Sequence, residues 1–215
     1  MPHRKHIAQN TYVKGKTLDI GYAEFPNHTS DHLYGIDIVP RPEVPLPKYI
    51  ETKQVDLNVE GIPYPDGFFE TVIAGDVIEH VVNPMWMLCE ANRVLKPGGM
   101  LIVSTPNPYY YWEFMQNLLV KHTFMKATQE GHFTCFTRIN MRNILDRTGF
   151  ELVTELGNFF SVIVLKWTFH WVRLPFLTYQ ITYIAKRVAE PKHYVMSKPS
   201  GGALQKVPTF LGVRS

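Results

Sequence analysis

The sequence predicts an α/β fold built on a mostly parallel sheet, and three observations carry that expectation. Short apolar runs alternate with helical or turn-rich connections, the pattern that lays helices over a parallel sheet. Acids stand at the ends of three of those runs, Asp37, Asp56 and Asp76, on the edge where open parallel sheets bind ligands. Between two of the runs, "NPMWMLCEANRVLKPGG" (83–99) has the start and stop signals of a helix.

The elements follow in order. Residues 3–13 are expected to form a short leading helix. "TLDI" (17–20) reads as a buried strand, followed at once by Gly21, and "LYGIDI" (33–38) as the next strand. Pro40, Pro42, Pro45 and Pro47 forbid regular structure after it. "KQVDL" (53–57) is expected to be the third strand. "GIPYPDGFFE" (61–70) is turn-rich and leads into "TVIAGD" (71–76). Asn83 caps a helix whose first turn holds Pro84. Met85, Leu88, Ala91 and Leu95 recur at helical spacing and mark its inward stripe. Lys96-Pro97-Gly98-Gly99 ends that helix, and "MLIVST" (100–105) is a strand stopped by Pro106. Thr137 is expected to cap a helix through Arg147, with Met141, Ile144 and Leu145 inward and Gly149 as its stop. "FELVTEL" (150–156) follows as a strand. Farther on, Leu177, Ile181, Ile184 and Val188 fall at helical spacing. The last strand is expected at "HYVMSK" (193–198), with "TFLGVRS" (209–215) as the alternative.

Composition bounds the function. A chain of 215 residues, 45% hydrophobic and 19% charged, suits one globular domain. The net charge of +3 is small and the Lys and Arg residues are scattered, which argues against a nucleic-acid partner. Cys89 and Cys135 form no CxxC pair, so neither a disulfide framework nor a zinc knuckle is expected. A cytoplasmic location fits that cysteine usage. The opening "MPHRKHIAQN" lacks a signal-like apolar core, and no run of ~18 uncharged apolar residues suggests a membrane span. No His, Asp and Glu cluster has metal-ligand spacing, and no G-x-S-x-G motif is present.

Residues 56–107 read "DLNVEGIPYPDGFFETVIAGDVIEHVVNPMWMLCEANRVLKPGGMLIVSTPN". The order and spacing of "IPYPDGFFETVIAGDVIEHV", "NP", "EANRVLKPGG" and "LIVSTPN" resemble class I S-adenosylmethionine-dependent methyltransferases. The nearest group includes the ubiquinone- and menaquinone-pathway enzymes. "GHFTCFTRINMRNILDRTGFEL" (131–152) resembles a later segment of the same family, and the likeness covers 17–157 altogether. It implies a Rossmann-like, seven-stranded sheet with helices on both faces and S-adenosyl-L-methionine as cofactor. By position, Asp19 and Gly21 match the acid and first glycine of the family's glycine-rich loop. Asp37 matches the acid that holds the ribose hydroxyls, and Ile38 the residue packed on the adenine. Asp56 and Leu57 match the pair at the adenine amino edge. Asp76 and Val77 match the end of strand four, beside the methionine moiety. A carboxylate accepts two hydroxyl hydrogen bonds at once, with charge assistance.

The loop departs from the family pattern. Where acid-x-Gly-x-Gly-x-Gly is usual, the positions here are Asp19, Gly21, Ala23 and Phe25. Glycine serves where φ is positive or the backbone passes close to a ligand. Gly21 and Asp37 lie 16 positions apart, against roughly 20 in the related dinucleotide pattern. A shortened or absent first helix is expected, with Tyr22 or Phe25 forming a new cleft wall. Two functions stay open: an enzyme that still binds its cofactor through Asp37, Asp56 and Asp76, and an inactive scaffold or partner protein on the same fold.

Methyl transfer to a hydroxyl oxygen needs a proton acceptor, for which histidine suits neutral pH. His132, in "GHFT", and His80, in "DVIEHV", fall near the expected cleft, each with a structural alternative as a capping or supporting residue. Glu79 is expected to be a hydrogen-bond partner within the fold. Residues 159–187 are rich in Phe, Trp and Tyr with interleaved Lys and Arg. Core packing, a hydrophobic acceptor pocket and peripheral membrane contact are the three readings of that segment. The expected organisation is a single domain: an N-terminal arm (1–14), a cofactor-binding core (15–157), and an aromatic, helical acceptor-side extension with the last strand (158–215). The acceptor is expected to be a small or lipid-linked molecule.

Overall fold

The computed structural model describes residues 11–23, 26–27, 30–39, 49–110, 133–162, 167–172 and 177–192. Eight strands form one sheet: β1 (Thr17–Ile20), β2 (Leu33–Asp37), β3 (Tyr49–Gln54), β4 (Phe69–Gly75), β5 (Leu95–Pro106), β6 (Phe150–Val162), β7 (Trp167–Val172) and β8 (Gln180–Arg187). Their order is β3-β2-β1-β4-β5-β8-β6-β7. The first five pair in parallel. β8 runs antiparallel between β5 and β6, and β7 pairs with the far side of β6. The expected seven-stranded sheet is therefore present, and β7 adds an eighth strand at its edge.

The chain steps outward from β1 to β3, then returns to place β4 on the other side of β1. Connections leaving β1 and β4 diverge there, which opens a crevice at the carboxyl ends of the strands.

Two helices are described, α1 (Pro84–Val94) and α2 (Arg138–Arg147). Asn83 Oδ1 accepts from Trp86 N at 3.0 Å, and Thr137 Oγ1 accepts from Asn140 N at 3.1 Å. Each cap satisfies an amide that the first helical turn leaves unbonded. Both helices pack on one face of the sheet. There Met87, Leu88 and Ala91 of α1 and Met141 and Leu145 of α2 join Val72, Ala74, Leu101 and Val103. On the opposite face Ile73, Ile102 and Ile184 are buried beside Tyr12 and Val13. Between β1 and β2 none of the described residues is helical.

Two expectations are corrected. The third strand runs from Tyr49 to Gln54, earlier than 53–57. It is a sheet edge whose residues are mostly exposed, so it has no apolar signature; Val55 and Leu57 are instead buried as the chain leaves it. The helical stripe of the tail is a strand in β8, and Trp167–Val172 is another. Gln180 to Ala185 are all buried. A strand covered on both faces shows no alternation, and its apolar positions then mimic a helical stripe. The leading helix lies outside the described residues except at 11–13, which are not helical. The last strand expected at 193–198 also lies outside them.

Candidate active site

β4 ends at Gly75, and the next residue, Asp76, has φ +56, in the left-handed region. A side chain there is uncommon and costs strain that its surroundings must offset. Asp76 N donates to Ser104 O at 3.1 Å, which ties the bend to β5. Its carboxylate Oδ1 accepts from Ser104 Oγ at 3.3 Å and from Gln180 Nε2. A 3-10 turn, Ile78–His80, follows, and His80 N donates to Val77 O at 2.9 Å.

Gly21, directly after β1, has φ +76, and a Cβ there would lie 2.5 Å from Val77 Cγ2. The turn after β1 and the turn after β4 therefore touch, and glycine is needed for both conformation and space. Ala23, by contrast, does not take a positive φ: among the described residues Asp76 is the non-glycine that does. Alanine is tolerated at 23 because the backbone there makes no demand for glycine.

Asp37 closes the same turn from β2. Its Oδ2 accepts from Ala23 N and its Oδ1 from Val39 N, both at 3.0 Å. Asp56 Oδ1 accepts from Asn58 N and Nδ2 at 2.9 Å each, and Asn58 Oδ1 accepts from Val82 N at 2.7 Å. That relay binds the loop after β3 to the loop after β4.

These turns enclose a cavity of about 680 Å³, within the size range of small-ligand clefts. Its lining includes Gly21, Ala23, Asp37, Ile38, Asp56, Leu57, Asp76, Val77 and His80. All nine were singled out in the sequence.

Asp19 and Tyr22 are placed elsewhere. The Tyr22 ring is 2% exposed and folds over β2: a Cβ on Gly35 would sit 2.7 Å from its Cδ1. It also meets Tyr49 at a centroid separation of 5.3 Å. The new cleft wall expected from Tyr22 is thus not formed, because an unoccupied space beside Gly35 takes the ring. Asp19 is buried behind the turn, where Oδ2 accepts from Asn27 N at 3.1 Å and from the Tyr49 hydroxyl. Burial is the main reason its pKa is raised to about 7 from the ordinary 3.8, against the lowering effect of those two donors. Phe25 and His132 lie outside the described residues.

Residues 13–155 match a family described as a methyltransferase domain. The chain belongs to that family. A probable S-adenosylmethionine-dependent methyltransferase of Mycolicibacterium smegmatis is 29% identical over 102 residues, 47% of this chain and 36% of that protein. The mitochondrial ubiquinone biosynthesis O-methyltransferase of Homo sapiens is 26% identical over 125 residues, 57% of this chain and 33% of the relative. The chain thus spans about a third of the length of these two curated relatives. An S-adenosylmethionine-dependent methyltransferase from Thermotoga maritima superposes with a TM-score of 0.63 at 15% identity, over 86% of this chain and 87% of that one. At that identity the likeness establishes the fold.

In this methyltransferase domain, sequence reasoning passed over several lining residues. Asn58, Val39, Pro106 and Tyr179 all face the cavity. Asn58 stands two residues after Asp56, a spacing that reads as a local turn. Tyr179 reaches the site because β8 inserts next to β5, a pairing no local pattern announces. Glu79, expected to be an internal partner, is 1% exposed and also borders the cavity; its carbonyl accepts from Phe133 N at 2.7 Å and anchors the segment before α2. Among the described residues no helix is long and apolar enough to cross a membrane.

Proposed function

We propose that this chain binds S-adenosylmethionine in the cavity at the strand ends and transfers its methyl group to an oxygen of a small or lipid-linked acceptor. The observation that carries this reading is the convergence of Asp37, Asp56 and Asp76 on one cavity. Each of these half-buried carboxylates also ties down its own loop, yet each keeps acceptor capacity beyond those bonds and borders the shared void.

The residues present fit such a cofactor. Each oxygen of Asp37 accepts one backbone amide, and a carboxylate has about four acceptor sites, so both ribose hydroxyls find a partner. Ile38 and Leu57 supply apolar walls for the adenine, and Asp56, held by Asn58, reads its amino edge. Gly21, Ala23, Asp76 and Val77 surround the methionine end. Asp19 and Tyr22 act from behind, shaping the turn. When bound, the cofactor supplies a methyl group already activated on a sulfonium. The protein's work is then alignment, exclusion of water and removal of the hydroxyl proton. His80, on the cavity wall, is one acceptor for that proton; His132 is the other.

Transfer to oxygen draws support from the human relative, which is named as an O-methyltransferase. A lipid-linked acceptor draws support from the aromatic composition of 159–187. On this reading 1–14 is an arm, 15–157 the cofactor core and 158–215 the acceptor-side extension, in a cytoplasmic protein touching membranes peripherally. Isothermal calorimetry with S-adenosylmethionine tests the cofactor reading. Saturable binding that Asp37→Ala abolishes is expected. No heat at millimolar cofactor would reject it and leave a scaffold protein on a methyltransferase fold.

A further inference from the structure

We propose that Gln180, on β8, is a positioning residue that fixes the Asp76 carboxylate for the cationic, amino-acid end of the cofactor. The proposal rests on the cofactor reading above and adds a part that lies outside the matched residues 13–155.

A buried chain of side-chain hydrogen bonds crosses three strands and ends at the cavity. Thr182 Oγ1 donates to Asn158 Oδ1 at 3.0 Å. Asn158 Nδ2 donates to Gln180 Oε1, and Gln180 Nε2 donates to Asp76 Oδ1. Ser104 Oγ joins from β5 at the same oxygen, at 3.3 Å. The members are deeply buried: Gln180 is 2% exposed, Asn158 8%, Thr182 0% and Ser104 1%. Apolar residues would fill these positions at lower cost, because each buried polar group must find a partner.

Direction is the informative feature. Every donor in the chain points toward Asp76, and each amide accepts on one side and donates on the other. Such bonds polarise one another and strengthen the last of them. The last acceptor is a carboxylate at φ +56, a conformation that persists only where neighbours over-determine it. Asp76 also borders the cavity. The chain thus holds a negative group in one orientation at the end of the cleft assigned to the sulfonium and the α-amino group. The arrangement predicts a contribution specific to positive charge on the ligand.

The experiment compares two ligands on the full chain by calorimetry. S-adenosylmethionine carries the cationic end. Methylthioadenosine shares the adenosine and sulfur but is neutral and lacks the amino-acid portion. Gln180→Leu is expected to weaken S-adenosylmethionine binding about tenfold, the scale of a lost charge-assisted hydrogen bond, and to leave methylthioadenosine binding within twofold. In an Asp76→Asn background the same substitution is expected to add little, since its effect runs through that carboxylate. If Gln180→Leu does not fold, Asn158→Ser one link farther reads the same chain, with a smaller loss confined to S-adenosylmethionine. Equal loss of both ligands, or full additivity with Asp76→Asn, overturns the positioning role while leaving the cofactor reading intact. Binding of neither ligand to the unaltered chain overturns both.

Discussion

Between β4 and β5 the chain makes an eleven-residue helix with a hydrogen-bonded Asn cap. Between β1 and β2, on the other flank of the same cavity, none of the described residues is helical. The two flanks nevertheless deliver the same kind of group, a strand-end aspartate, to one void. The helical flank is stabilised by internal rules: a cap, an apolar stripe, and an ion pair of the buried Glu90 with the half-buried Arg93. The other flank is stabilised by side chains that fold back. Tyr22 covers Gly35, and Asp19 gathers Asn27 and Tyr49 where a helix start would stand. On this flank, then, the described turn is held by a buried aromatic ring and a polar cluster in place of the cap and apolar stripe that order the other.

The largest effect is expected on the helical flank. Glu90 is 2% exposed and accepts from Ile62 N at 2.7 Å as well as from Arg93. Arg93 also donates to the carbonyls of Tyr64 and Ile62, at 2.9 and 2.7 Å. Arg93→Met leaves that buried carboxylate with the Ile62 amide but without its ionic partner, and should cost about 3 kcal/mol, the lower end for a broken buried pair, in denaturant unfolding. A loss below about 1 kcal/mol would mean that this flank is no more dependent on its internal pairs than the other.

On the rebuilt flank the expected signature is pH dependence. Asp19 holds its proton up to about pH 7 in the folded protein, against about 3.8 ordinarily. The folded state therefore binds more protons between those values, and the stability contributed by this group is lost as pH rises through 7. One pKa unit corresponds to about 1.4 kcal/mol. Thermal melts at pH 5 and pH 8 should show the unaltered chain losing stability with rising pH. Asp19→Asn, which removes the titration but keeps the shape, should lose markedly less. Parallel slopes for the two proteins would show that Asp19 is ordinary and that the turn is held by something else.

The smallest effects separate two loop positions with different demands. Gly21→Ala forces a side chain onto φ +76 and into Val77, and should cost about 1–3 kcal/mol together with cofactor affinity. Ala23→Gly restores the family's glycine yet should destabilise by only about 0.4–1 kcal/mol, through the unfolded state, with cofactor affinity unchanged. A gain in affinity from Ala23→Gly would indicate that the altered loop obstructs its ligand.

Legibility followed the same division. The Asn83 cap of α1, its buried Leu88 and Ala91, and the runs of β1, β2 and β4 could be read locally because they obey short-range rules. Leu95, expected on the helical stripe, and residues 96–99, expected as the turn after it, already belong to β5, and Met85 is only half-buried. Of the candidate residues, those at strand ends reached the cavity as position implied. Asp19 and Tyr22 did not, because their direction depends on Gly35 and Tyr49, which belong to other strands, and on Asn27 in the link after β1. β8 was misread as helical because burial on both faces erases the alternation that marks a strand.

By itself the sequence determined three strands of the parallel half, β1, β2 and β4, the capped start of α1, and the acids at or just past the ends of β2, β3 and β4. Those are consequences of backbone propensity and nearest-neighbour chemistry, which act within a few residues. Tertiary structure alone decided that β8 inserts beside β5, that Gln180 thereby meets Asp76, and that the Tyr22 ring packs against Gly35 of β2. Such contacts join residues up to 104 positions apart, and their geometry exists only once the sheet has assembled.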